Sequence, residues 1–68
     1  MKVVLNGEEK QLPDRSSVSR VVALVGASQG ERGVAVAVGG EVVPRAEWEE
    51  RILSEGDAIE VVHAVQGG

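Results

Sequence analysis

Turn and break signals recur so often along this 68-residue chain that the pieces between them can be only strands or one short helix. Asn6-Gly7 tolerates the positive φ of a two-residue hairpin turn and is the strongest such signal present. Pro13 and Pro44 each remove a ladder donor and so close the strands that precede them. Gly26, Gly39-Gly40 and Ser54-Glu55-Gly56-Asp57 mark further reversals. The runs between these signals are dominated by valine, whose branched side chain packs well on a pleated surface.

Read in order, residues 2–6 form a first strand with Val3 and Leu5 on one face, and residues 9–12 form the return. Asp14-Arg15-Ser16-Ser17 then offers helix-capping side chains. Val18, Val21, Val22 and Val25 fall on one face of a helix that Gly26 stops. Valine is a poor intrinsic helix former, so this helix should depend on packing its apolar face against a sheet. Residues 27–33 read as a connection, since they lack both the glycine spacing and the Gly-Lys-Ser/Thr ending of a phosphate loop.

Val34, Val36 and Val38 alternate with Ala35 and Ala37 in a third strand, and residues 41–43 make a fourth. Residues 45–51, polar around Trp48, read as irregular helical turns. Residues 58–64 form the last strand, with Ile59, Val61 and His63 on one face and Ala58, Glu60, Val62 and Ala64 on the other. Two hairpins flanking one helix, with a fifth strand returning, predict an α+β fold of two layers. The arrangement is that of a β-grasp, a five-stranded mixed sheet on one main helix with the first and last strands central and parallel. The expected division is a domain over residues 1–64 and a flexible Gly-Gly tail over residues 65–68.

Composition removes several function classes. A net charge of −4 leaves no basic stripe for phosphates, and Trp48 is the only aromatic residue, so bases have no stacking platform. The longest apolar run, residues 34–38, is far too short for a bilayer, and the turn at Asn6-Gly7 interrupts any signal-peptide core. A cytoplasmic location is the expectation. With no cysteine and one histidine, neither a disulfide framework nor a thiolate or histidine metal site is available. Glu49, Glu50, Glu55 and Asp57 read as a solvated face rather than a cation site, and Ser16, Ser17 and Ser19 as cap residues rather than nucleophiles. No catalytic side chain is assigned, and the chain is not expected to be an enzyme.

The remaining chemical group is the carboxylate of Gly68. An α-carboxyl group has a pKa of about 3.3–3.7, so at neutral pH it is an anion and a poor electrophile. Conversion to a mixed anhydride, such as an acyl-adenylate made from ATP, would activate it. Gly67 and Gly68 carry no side chain that could block a narrow channel, and glycine adopts whatever φ/ψ the channel demands.

Val42-Val43-Pro44-Arg45 followed by Trp48, then Gly56-Asp57, then a hydrophobic strand running into Gly67-Gly68, resembles the ThiS family of sulfur carriers in thiamine biosynthesis. The resemblance spans essentially the whole chain, including the Asn6-Gly7 hairpin. One departure is Gly39, where members of that family often carry Asn; either residue serves a turn. The resemblance implies a ubiquitin-like β-grasp fold and a cycle of activation. A ThiF-type adenylyltransferase would adenylate Gly68 with ATP, and a persulfide sulfur supplied through a cysteine desulfurase would displace AMP. The resulting thiocarboxylate would donate sulfur to a ThiG-type thiazole synthase. By the same resemblance Gly68 is the covalent site, Gly67 the clearance residue, and Val65 and Gln66 ride in the partner's channel. Val62 and the small-residue face near Ala35 and Ala37 are candidates for partner docking. Arg45 and Trp48 are candidates either for partner contact or for anchoring their own segment. No cofactor is expected on the chain itself, since ATP is used by the activating partner.

Three other readings use the same features. The small subunit of molybdopterin synthase also ends in Gly-Gly and donates sulfur, although such chains tend to be longer and richer in aromatics. A ubiquitin-like modifier would use the same activation to form isopeptide bonds. A non-covalent β-grasp interaction module would make no use of the glycines.

Overall fold

A computed structural model describes residues 1–26 and 33–63. Strands β1 (Lys2–Leu5) and β2 (Glu8–Gln11) form the first hairpin, and α1 (Val18–Leu24) follows. Strands β3 (Val34–Val38) and β4 (Glu41–Val43) form the second hairpin. A 3-10 turn (Arg45–Glu47) then leads towards β5 (Ala58–His63). The sheet order is β2-β1-β5-β3-β4, with β5 parallel to β1 and antiparallel to β3. The predicted β-grasp is therefore the fold observed. Its first and last strands lie side by side and parallel at the centre, as expected for that arrangement. The predicted extension of the last strand to Ala64 and most of the predicted loop over 27–33 lie outside the described residues.

The first turn is what Asn6-Gly7 implied, with φ of 49° and 84° at its two central residues. Alternation along the strands decides the faces. Val3 and Leu5 of β1, Val34, Val36 and Val38 of β3, and Ile59 of β5 are all buried, whereas Ala35, Glu60 and Val62 are exposed. Val18, Val21 and Val22 of α1 are 0–1% exposed in the same core. Burying a valine fully contributes roughly 1.5–3 kcal/mol. A helix of seven valine-rich residues is sustained by that packing and not by its own propensity.

The helix α1 starts where the sequence placed it, but its capping differs from the expectation. Ser17 holds the N-cap position, but its side chain makes no capping hydrogen bond. The hydroxyl of Ser16 instead donates to the carbonyl of Pro13 at 2.6 Å. The free N–H groups of the first turn are met by distant backbone: Val18 N–H donates to the Arg51 carbonyl and Ser19 N–H to the Trp48 carbonyl, each at 3.0 Å. Leu53 N–H returns a bond to the Ser16 carbonyl at 2.8 Å. Residues 48–53 therefore cap the helix, and local side chains do not. This satisfies donors that a helix end otherwise leaves open.

Candidate functional site: the end of the central strand

The carboxyl-terminal end of β5 is where the fold hands the chain on towards residues 64–68. On one side β3 follows β5 through Val36↔Val61 and Ala35↔Val62 to Val34↔His63. On the other side β1 pairs only at Val4↔Ala58 and Leu5↔Ile59 before its chain turns away. At that point Asn6 N–H donates to the Ile59 carbonyl, and the Val61 N–H donates to Asn6 Oδ1, both at 2.9 Å. The last part of β5 is thus held by a full ladder on one flank and by a side chain on the other.

The sheet face opposite α1 carries an apolar patch beside this strand end. Val62 is 58% and Val42 is 74% exposed. Register places Ala35 against Val62, and Ala37 between Glu60 and Val42. The small alanines leave a shallow hollow of about 170 Å³ between the flanking valines. Val62 and the Ala35–Ala37 face were legible from alternation. Val42 was not singled out, because a three-residue strand between a glycine turn and Pro44 gives alternation too little length to assign its faces.

Trp48 is 1% exposed, and its Nε1–H donates to the Val43 carbonyl at 2.9 Å. The Arg45 guanidinium lies over its ring, 4.7 Å from the centroid, and is itself exposed. Of the two roles open to this pair in the sequence, the structure places Trp48 as an anchor in the core. Cation–π contact of this kind contributes about 0.5–1 kcal/mol at an exposed site. Val65, Gln66, Gly67 and Gly68 lie outside the described residues.

Among the described residues no group of three or more His, Asp or Glu is placed to hold a metal ion, and no helix is long and apolar enough to cross a membrane. His63 is exposed at the end of β5. The described residues thus present an exposed apolar patch beside the end of the central strand.

Comparison with known proteins gives this arrangement a context. The model of the ThiS family matches residues 3–68. The chain is 26% identical to the sulfur carrier protein ThiS of Escherichia coli (strain K12), covering 100% of both chains. It is also 32% identical over 68 residues to a protein of Paramagnetospirillum magneticum named thiazole synthase, of whose length it spans only 20%. Two solved structures of a thiamine biosynthesis protein (ThiS) from Geobacter metallireducens share the fold. The crystal structure aligns at a TM-score of 0.79 and 24% identity over 100% of both chains. The solution structure aligns at the same TM-score and 26% identity, over 100% of this chain and 88% of that one.

Proposed function

The chain belongs to the ThiS family, and from that membership we infer that it is a sulfur carrier whose reactive group is the carboxylate of Gly68. The observation that carries this reading is the family match from residue 3 through residue 68, which takes in the glycine pair as well as the domain. The absence of cysteine adds weight, because no side-chain thiol is present to carry sulfur. The protein is a co-substrate acted on by other enzymes, and the reading places it in the cytoplasm.

A ThiF-type adenylyltransferase joins the Gly68 carboxylate to AMP from ATP, releasing pyrophosphate. A persulfide, charged with sulfur by a cysteine desulfurase, attacks the acyl carbon, and AMP leaves with the carbon–oxygen bond pair. A further thiol then cleaves the sulfur–sulfur bond, which leaves the thiocarboxylate on Gly68 and a disulfide on the donor. The thiocarboxylate passes its sulfur to a ThiG-type thiazole synthase for the thiazole of thiamine. A 68-residue match inside a protein named thiazole synthase supports the synthase as acceptor.

In this cycle Gly67 gives clearance beside the reacting carbon, and Gln66 and Val65 occupy the partner's channel. The patch of Val42 and Val62 around Ala35 and Ala37 is the surface on which the activating enzyme docks. It is apolar, it borders the strand that delivers the tail, and it faces away from the helix layer. Arg45, exposed over Trp48, is a second contact at the β4 end of the sheet.

Intact mass spectrometry tests the reading. After incubation with an activating enzyme of this type, ATP and a persulfide donor, the expected product is the chain with one oxygen replaced by sulfur, localised by fragmentation to Gly68. An unchanged mass beside an enzyme that turns over a control carrier would sink the proposal. Conjugates to lysine, lost when Gly68 is removed, would favour the modifier reading instead.

A further inference from the structure

Asn6 serves the hairpin turn, and nothing in the sulfur cycle uses it. In the fold it meets β5 twice. In a parallel pair, a residue's own N–H and C=O bond to two positions of the neighbouring strand. Asn6 makes the first of these bonds with its main chain, to the Ile59 carbonyl. Its φ of 49° turns the main chain into the hairpin, and its side-chain Oδ1 accepts the Val61 N–H where a continuing strand would offer a backbone carbonyl. One residue thus ends β1 and still extends the β1 edge along β5.

We propose that Asn6 is a positioning residue for the carboxyl-terminal tail: its side-chain carbonyl pins Val61, and with it fixes the point from which the tail departs. The inference rests on the sulfur-carrier reading. Residues 64–68 can reach at most about 17 Å at full extension, so a tether this short transmits any error in the strand end to the carboxylate. When the Val61 bond is lost, the β1 side of the sheet no longer holds Val61, and the strand end relies more heavily on its pairing with β3. A partner must then order a longer segment on binding, and that ordering is drawn from binding energy. The effect belongs in KM and not in kcat. The residue choice is narrow. Glycine at position 6 would keep the turn but lose the acceptor, aspartate would keep both, and valine or isoleucine would keep neither.

Asn6→Gly and Asn6→Asp test this in the full chain, read by amide hydrogen exchange and by pyrophosphate release with a ThiF-type activating enzyme and ATP. In N6G the Val61 amide should exchange about tenfold faster while Val3 and Val36 keep their protection, and KM for the carrier should rise about three- to tenfold with kcat within about twofold, the worth of one hydrogen bond. N6D should restore both. Unchanged Val61 exchange in N6G overturns the clamp. Faster Val61 exchange with unchanged KM overturns its bearing on the tail. Protection lost throughout the sheet in N6G and regained in N6D makes Asn6 a general stabiliser and also overturns the proposal. If the wild-type chain is not activated at all, the sulfur-carrier reading fails, while Val61 exchange alone still decides whether Asn6 holds the strand end.

Discussion

Trp48 shows how much one side chain can decide in a domain of this size. It is among the largest fully buried side chains, and its indole also satisfies the Val43 carbonyl. Truncating a buried tryptophan to alanine costs about 3–5 kcal/mol. A core in a chain this short seldom supplies more than about 3–5 kcal/mol in total. Trp48→Ala should therefore be largely unfolded at 25 °C by far-ultraviolet circular dichroism. Trp48→Phe keeps a ring but removes the indole bond to the Val43 carbonyl, at a cost of about 0.5–1.5 kcal/mol. It should fold with a clearly lowered urea midpoint. A midpoint equal to wild type would mean that the indole bond contributes nothing. The sequence left Trp48 open between anchor and contact because residues 45–51 have no period from which a buried face can be read. Only the three-dimensional return of the segment against β4 resolves it.

At the level of elements, the strands and the position of the helix start were legible, and the groups that cap the helix were not. The third and fourth strands match their predicted bounds, because valine–alanine alternation and the turn at Gly39-Gly40 are local signals. The stripe of Val18, Val21 and Val22 is buried as spaced, with Val25 half-buried at its end. Capping was misjudged for a physical reason: any serine near a helix start resembles a cap, whereas the donors here are met by carbonyls of residues 48 and 51, remote in sequence. The consequence is measurable. Replacing a true serine N-cap by alanine costs typically about 1 kcal/mol. Ser17→Ala should cost less than about 0.5 kcal/mol, in the range of an ordinary surface change. Ser16→Ala, which loses the bond to the Pro13 carbonyl, should cost about 0.5–1.5 kcal/mol. Urea denaturation of the two variants gives the order, and a larger loss at Ser17 would contradict the backbone capping described.

Under the proposed function the whole molecule divides its work between a face that docks and an end that reacts, and the two can be separated by substitution. Val42 and Val62 are exposed on the sheet face away from α1, so changing both to serine leaves the core untouched. Stability should fall by no more than about 1 kcal/mol, the span of strand preference at such positions. Each valine contributes roughly 1.5 kcal/mol or more when a partner covers it. The double variant should accordingly raise KM for activation at least tenfold, since about 1.4 kcal/mol is a factor of ten. Thiocarboxylate should still form at saturating carrier. Removal of Gly68 should do the reverse. The urea midpoint and the affinity for the activating enzyme should stay near wild type, while no sulfur is incorporated at any concentration. A chain without Gly68 that still accepts sulfur would place the chemistry elsewhere. A serine double variant with unchanged KM would move the docking surface off this face, and attention would pass to the β4 end of the sheet around Arg45.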